Sequence, residues 1–461
     1  MYQGDTSPMA ACSHFNWKFK IKIIASNIRF LYTKSNFMEA EYMKVLMVGG
    51  GGREHTLLWK LAQSPKISKL YCAPGNGGIS KLAQCVEIKA IDIDGMVNYS
   101  KENKIDLVVV APDDPLAAGM VDKLNEAGIK AFGPVKNAAI IEGSKAFSKD
   151  LMKKYNIPTA GYSVFENSAD ALSYLDTSSA PIVVKADGLA LGKGVIIAQT
   201  IEEAKAAVNE IMNDKVFGNA GNKVVIEEFI EGPEVSILAF TDGKTIVPMV
   251  SSQDHKRAFD HDEGPNTGGM GTFSPSPLYD AKLADYCMKE IFIPTIEAMN
   301  KEDRKFKGVL YFGLMLTKDG PKVLEYNARF GDPETQVVIP RLKTDLLEIF
   351  EAIIDERLAD INIEWDDNAA VCVVAASGGY PGKYPTGLEI NGLDDAQANG
   401  ETIVFHAGTS LRDGKLYTAG GRVLGVTAVE KTMDMAIEKA YAGIQKISFE
   451  GMHYRKDIGR K

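Results

Sequence analysis

Glu325 and Asn327 lie two residues apart in the run Val323-Leu324-Glu325-Tyr326-Asn327, where apolar and polar residues alternate. A period of two is the mark of a strand, and on a strand residues two apart share one face. A carboxylate beside an amide oxygen is a hard, all-oxygen pair. It suits Mg²⁺, which takes a ligand or two from protein and the rest from phosphate and water. A half-buried strand with one solvated polar face has the same pattern. The residues next along the chain favour chemistry: Asp332-Pro333 turns the chain, and Arg329, Asp332, Glu334 and Gln336 crowd charged and hydrogen-bonding groups beside the pair.

Four more segments carry similar signals. In Val184-Lys185-Ala186-Asp187-Gly188, running on to Gly192-Lys193-Gly194, a lysine ends one strand and a glycine-rich loop leads into another. Such a loop can fold over a triphosphate, with the lysine supplying charge and the backbone supplying donors. It is not the phosphate loop that leads into a helix, and an ordinary flexible hairpin also fits. Glu227-Glu228-Phe229-Ile230, followed by Glu234, is an apolar strand entering an acidic bend. Its backbone could pair with an adenine edge and an acid with ribose hydroxyls, or the bend is simply solvated. Gln253-Asp254-His255-Lys256-Arg257 precedes the loop Gly264 to Gly271, which has no capacity for a core. Glycine-rich loops of that length inside a domain are functional or disordered. Finally, Gly49-Gly50-Gly51-Gly52-Arg53-Glu54-His55 comes directly after an apolar run. Glycines let backbone N–H groups approach an anion at a helix start, and a tight strand–helix turn reads the same way. A dinucleotide is disfavoured, because no glycine stands at the third fingerprint position and the second strand ends at Ala73-Pro74 without an acid.

The elements that must position these residues are legible. Lys44 to Val48 is a short continuous apolar run, the pattern of a buried parallel strand. Arg53 to Gln63 is helical in character, and Lys69 to Ala73 and Ile105 to Ala111 read as further strands. Strands alternating with helices predict a doubly wound parallel sheet, whose ligands gather at the carboxyl ends of the strands. A compact α+β unit runs from about Pro158 to Glu228, then a mixed region, then a new strand set from Asn368. The chain thus reads as α/β and α+β multidomain, with an α+β C-terminal domain. The expected segments are 1–42, 43–143, 144–337 with a lid at about 158–228, a connecting 338–367, and 368–461.

Composition sets outer bounds. A chain of 461 residues is long enough for roughly three domains. A net charge of −9 argues against a general nucleic-acid or anionic-membrane binder. No apolar run approaches the ~20 residues that span a bilayer. Cysteines at 12, 72, 85, 287 and 372 are scattered, so reduced thiols in a cytoplasmic compartment are expected. The first 42 residues are basic and aromatic. They are expected to be a disordered or loosely attached extension.

Together these segments resemble the ATP-grasp superfamily, and within it the phosphoribosylamine–glycine ligase family. The resemblance runs from Met43 to about Lys461. It rests on M-K-V-L-M-V-G-G-G-G-R-E-H, A-P-G-N-G-G, G-S-K-A-F-S-K, V-V-K-A-D-G-L-A-L-G-K-G, V-I-E-E-F-I-E-G-P-E, P-N-T-G-G-M-G, L-E-Y-N-A-R-F-G-D-P-E-T-Q, S-G-G-Y-P-G and G-G-R-V-L-G-V-T, in that order. It implies central ATP-grasp domains with a small lid. Lys145 and Lys185 would contact ATP phosphates under a lid loop containing Gly188, Gly192 and Gly194. Glu227, Glu228, Phe229 and Ile230 would line the adenine pocket, Glu234 would meet the ribose, and Glu325 and Asn327 would ligate Mg²⁺ or Mn²⁺. Gly50, Gly52, Arg53, Glu54, Asn76 and Asp113 are implied for 5-phosphoribosylamine. Asp254, Lys256, Arg257, Gly269 and Arg329 are implied near glycine or its acyl phosphate, with Lys185, Arg329 and Asp254 as the catalytic set. The implied reaction joins glycine to 5-phosphoribosylamine at the expense of ATP in de novo purine biosynthesis, with no nucleic-acid or membrane partner, by a monomer or weak homodimer. Two departures stand out. The strand before the metal pair reads Tyr311-Phe312-Gly313-Leu314-Met315, without the acid many ATP-grasp enzymes carry. Ala111-Pro112-Asp113 replaces the family's common G-P-E and shortens the reach of that carboxylate.

Overall fold

The strand Met43–Gly49 (β1) is buried on both faces, which explains why its apolar run does not alternate. Leu46 and Val48 pack with Met96, Ile105 and Leu116 on one side, while Val45 and Met47 pack with Leu57, Leu58 and Leu61 on the other. β1 sits at the centre of a five-stranded sheet with β2 (Ile67–Pro74), β3 (Gln84–Cys85), β4 (Leu107–Val110) and β5 (Lys130–Phe132), in the order β3-β2-β1-β4-β5. Every pairing in it is parallel, as the sequence predicts. Strand order reverses at β1, between β2 and β4. The crevice outside the carboxyl ends at such a reversal is where doubly wound sheets bind ligands. The loops Gly49–Gly52, Pro74–Gly78 and Pro112–Asp114 lie there.

The computed structural model describes residues 42–189 and 194–460. The expectations for residues 1–41 and for Gly192 fall outside them. Met43–Lys461 forms one contact unit, in which two antiparallel sheets follow the first. The lid sheet contains β6 (Tyr162–Phe165), β7 (Ile182–Ala186), β8 (Val195–Ala198) and β9 (Val224–Glu228), in the order β6-β9-β7-β8. It has its own core around Val184, Val224, Ile226, Ala204 and Ile211. The second sheet contains β10 (Glu234–Thr241), β11 (Ile246–Pro248), β16 (Gly308–Thr317) and β17 (Gly320–Asn327), in the order β11-β10-β16-β17. Only Phe229–Pro233 separates β9 from β10, so the chain crosses directly from one sheet to the other.

The C-terminal sheet combines distant segments. β12 (Gln253–Asp254) and β15 (Gly271–Ser274) join β18 (Ala369–Ala376), β19 (Ile403–His406) and β22 (Arg422–Glu430) in the order β12-β15-β18-β22-β19. Pairing β15 along β18 covers an edge that would otherwise offer unpaired backbone groups. It also carries the glycine-rich segment before β15 into the C-terminal region. Two hairpins, β13–β14 (Arg257–Phe259 with Glu263–Asn266) and β20–β21 (Thr409–Arg412 with Lys415–Thr418), stand apart from the large sheets. The connecting segment holds the helix Leu346–Ile354, whose Phe350 stacks on Phe132 of β5 at 3.8 Å between centroids.

Candidate active site

The β16–β17 register pairs Gly313 with Glu325 and Tyr311 with Asn327. Glu325 and Asn327 therefore share a face, and the position beside Glu325 carries no side chain. Burial works to raise the Glu325 carboxyl, and the cations of Lys256, Lys185, Lys145 and Arg329 outweigh it, holding the group below its ordinary range. Among the described residues none of these cations pairs with Glu325 directly, and no group of three or more His, Cys, Asp or Glu is placed to hold a metal ion. An ionised carboxylate and an amide oxygen on one face, with cations nearby but none attached, fit a divalent ion that has two protein ligands and completes its shell with phosphate and water. Asn327 Oδ1 also accepts from Arg329 Nη2 at 3.1 Å.

Lys145 and Lys185, the lysines expected at phosphate, come from two elements stitched together. The helix Lys145–Lys154 starts at Ser144, whose hydroxyl caps it by accepting from Phe147 N. Asp187, at the base of the lid loop, accepts from Ser144 Oγ and from Ala146 N, each at 3.0 Å. Lys145 Nζ donates to Gly188 O at 2.8 Å. On β7, Lys185 Nζ lies 2.9 Å from Glu227 Oε1, and Glu227 Oε2 lies 2.8 Å from Lys149 Nζ. Glu227 is thus a buried counter-ion shared by two lysines, a role the sequence did not assign it. Burial lowers the Lys149 ammonium to about 8 against the pull of Glu227. Gly188 has φ +150°, and a Cβ there would meet Ala220 Cβ at 2.8 Å. Gly194 O accepts from Ala186 N at 2.8 Å, closing the loop base.

The segment expected to line an adenine pocket occupies the crossing between sheets. Phe229 and Ile230 are half-buried there, whereas Glu228 is exposed. Glu228 accepts from Gly161 N at 2.9 Å and pairs with Lys322 at 3.3 Å. Glu234 opens β10 and pairs with Lys256 at 2.6 Å in a half-exposed contact.

The loop after β1 is enclosed by its neighbours. A Cβ on Gly50 would lie 2.4 Å from Gly75 O, and one on Gly52 would lie 2.6 Å from Gln336 Nε2. Glu54 caps the helix Gly52–Leu61 by accepting from Gly51 N at 2.5 Å, and Arg53 Nε donates to Glu54 at 2.7 Å. Arg53 Nη1 reaches Phe330 O at 3.0 Å. Asn76 donates to Gly50 O and His406 O, and its Oδ1 accepts from Gly78 N and Ile79 N. With both donors and both lone pairs engaged, Asn76 shapes the loop and has no bond left for a ligand.

A third group gathers around Arg329. Burial disfavours its charge, but Glu142, Asp113 and Glu334 outweigh this and push its pKa up. Asp113 therefore still acts on the site electrostatically despite its shorter side chain. Asp254 is raised well above the usual carboxylate range by burial and by the Glu334 carboxylate opposite it. Gly269 is at φ +111°, and a Cβ there would lie 2.7 Å from Asp254 Oδ1. Lys256 is pushed up by Glu234, Tyr311 and Glu325 in spite of burial. Arg257 does not join them: its Nη1 donates to Gly264 O at 2.7 Å, within the β13–β14 hairpin.

The phosphoribosylglycinamide synthetase models match nearly the whole unit: the N domain at residues 43–142, the ATP-grasp (A) domain at 143–335 and the C domain at 370–461. The chain belongs to this family. It is 51% identical to the phosphoribosylamine–glycine ligase of Caldanaerobacter subterraneus, over 90% of this chain and 99% of that protein. It is 52% identical to that of Halalkalibacterium halodurans, over 91% of this chain and 97% of that one. Among solved structures it resembles the phosphoribosylamine–glycine ligase of Thermotoga maritima with a TM-score of 0.78 at 34% identity, covering 90% of this chain and all of that one.

In this member of the phosphoribosylglycinamide synthetase family, the structure also adds residues that the motifs do not single out. Arg422, at the start of β22, donates to Asp332 O at 2.8 Å and to Gly268 O, and lies 3.4 Å from Asp332 Oδ1. It ties the C-terminal sheet to both the turn at Asp332 and the glycine-rich loop. Lys149 closes the motif G-S-K-A-F-S-K without a role of its own in it, and Glu142 lies just before that motif. Their one signal is an ionisable residue on a helix face that the fold buries.

Proposed function

We propose that this chain ligates glycine to 5-phosphoribosylamine, giving glycinamide ribonucleotide, ADP and phosphate in the pathway to the purine nucleotide IMP. The carrying observation is the ionised Glu325 beside Asn327 on one strand face, within reach of Lys145, Lys185, Lys256 and Arg329. Family membership and relatives about half identical in sequence support the same reading.

A carboxylate is a poor electrophile, so it must first gain a leaving group. A glycine carboxylate oxygen attacks the γ-phosphorus of ATP, and ADP departs. The amine of phosphoribosylamine then attacks the acyl carbon, phosphate leaves with the former carboxylate oxygen, and the amine loses a proton to solvent. Mg²⁺ or Mn²⁺ held by Glu325 and Asn327 would draw off phosphate charge in the first step. Lys145 and Lys185 neutralise the transferred group, Arg329 faces the glycine carboxylate, and Asp254 with Lys256 completes that side. The lid loop that the family resemblance implies would cover the phosphates and exclude water. Positioning and electrostatics carry such a reaction, with little covalent work for the protein. Glu228, Phe229, Ile230 and Glu234 receive the nucleoside. Gly50, Gly52, Arg53 and Asp113 receive the ribose phosphate at the strand-order reversal.

The expected assembly is a monomer or weak homodimer. Among the described residues no helix is long and apolar enough to cross a membrane, and Cys72, Cys85, Cys287 and Cys372 are free thiols. Both fit a cytoplasmic enzyme. The test is ADP release with ATP, Mg²⁺ and phosphoribosylamine plus glycine, formate or bicarbonate. Release only with glycine is expected, and release indifferent to glycine rejects the assignment.

A further inference from the structure

Glu142 belongs to the helix Lys136–Gly143, in a local sequence, Ala139-Ile140-Ile141-Glu142-Gly143, with nothing that marks it for chemistry. Its side chain is nevertheless only 8% exposed and touches the reaction site at two points. Oε2 accepts the backbone N–H of Ala328 at 2.7 Å, and Oε1 lies 3.2 Å from Arg329 Nη2. That nitrogen also donates to Asn327 Oδ1 at 3.1 Å, while Nη1 reaches Phe330 O at 3.3 Å. Arg329 Nε is buried and has no hydrogen-bond partner among the described residues.

A guanidinium presents its donors in one rigid plane. Anchoring both terminal nitrogens therefore fixes the direction of the third. A buried donor without an acceptor is costly to keep, so an unfilled Nε–H beside the metal pair calls for an incoming oxyanion. We propose that Glu142 is a positioning residue for glycine activation. It holds the Arg329 plane so that Nε–H remains available to an oxygen of the glycine carboxylate or of the acyl phosphate formed from it. Nη2 meanwhile stays on Asn327. This rests on the reaction assigned above. It also gives the N-terminal region a part in the ATP half of the site, because Glu142 and Asp113, both from that region, act on the same guanidinium.

Glu142→Gln keeps the shape and an acceptor for Ala328 N but removes the charge facing Arg329. It should lower kcat roughly 10- to 100-fold and raise the glycine KM, as misplacement of a reacting group does. Binding of a non-hydrolysable ATP analogue with Mg²⁺, read by calorimetry, should stay near wild type. Glu142→Asp, which keeps the charge, should recover part of the loss. In an Arg329→Met background Glu142→Gln should have no further effect, since residues acting through one another are non-additive. Wild-type kcat and glycine KM in Glu142→Gln would overturn the proposal. So would an equal further loss in the Arg329→Met background, or a parallel loss of analogue binding. Glycine-independent ADP release by the unmutated enzyme would reject the reaction itself, and that failure is visible before any substitution is made.

Discussion

The loop Gly49–Gly52 and the loop opening at Gly188 are the two glycine-rich loops assigned here to phosphate, and they are held in different ways. The first is packed against its neighbours, with Gly50 and Gly51 half-exposed. Gly75, Gln336, Asn76 and His406 fix it through backbone and buried contacts, and the helix behind it is buried against the C-terminal region. Among its described residues the second is fixed at its base, by Asp187 on the helix start, by Lys145 on Gly188 O and by Gly194 on Ala186. Charge is organised in the opposite sense. Around the first loop Arg53 is matched by Glu54. Under the second, Lys149 and Lys185 share the single carboxylate Glu227, and Lys145 and Lys185 stand near an unpaired Glu325. A site built once and kept fits the substrate's ribose phosphate. A surplus of cation beside Gly188 fits a triphosphate that must enter, react and leave.

Substitutions can break this contrast. The largest effect is expected from Glu227→Gln. It leaves two buried lysines without their carboxylate, and removing one partner of a buried ion pair costs about 3–5 kcal/mol. Denaturant unfolding should show that loss, together with weakened ATP binding. Stability near wild type would mean that the lysines do not depend on Glu227. Next, Glu325→Ala should lower turnover on the order of 10²–10³-fold with the fold retained, measured as glycine-dependent ADP release against an unchanged Tm. Full activity would remove Glu325 from the mechanism.

Gly50→Ala sharpens the comparison from the packed side. Its Cβ would meet backbone at Gly75 O rather than a movable side-chain end. Overpacking of this sort costs about 1–3 kcal/mol. Phosphoribosylamine-dependent turnover should fall while ATP-analogue binding survives. The same substitution at Gly194, if harmless to stability, would confirm the looser fixing of the lid base.

The smallest effect concerns pH. His55 Nδ1 accepts from His406 N at 2.7 Å, and the rings lie 5.4 Å apart, joining the helix Gly52–Leu61 to β19. Burial lowers His55 to about 3 and His406 to about 4. Both are neutral when folded and take up protons on unfolding below about pH 6.5. Their contribution is thus complete above that value and is lost as pH falls toward 4. Each histidine should account for about 1 kcal/mol of lost stability between pH 7 and pH 5.5. His406→Gln should flatten the pH dependence of Tm in that window, and an unchanged slope would place the titration elsewhere.

Much of this arrangement is readable in the chain because it is local. The parallel sheet is legible from Lys44–Val48 and its turn, and the shared face of Glu325 and Asn327 from strand alternation. The parts that could not be read depend on residues brought together from far apart. Glu142 reaches Arg329 across 187 positions, and Arg422 reaches Gly268 across 154. Glu227 sits inside a recognisable motif, yet only the packing of β9 against β7 and the helix Lys145–Lys154 reveals that its side chain is bound to two lysines. The sequence also does not show that β12 and β15 join the C-terminal sheet, because two short strands of four residues or fewer take their partner from tertiary context.

The most direct measurement traces oxygen. Glycine labelled with ¹⁸O in its carboxylate, supplied with ATP, Mg²⁺ and 5-phosphoribosylamine, should deliver one labelled oxygen to each inorganic phosphate, seen as an isotope shift in the ³¹P spectrum. Phosphate released without label would mean that the carboxylate never bonds to the γ-phosphorus, and the account built on Glu325, Asn327 and their lysines would be wrong.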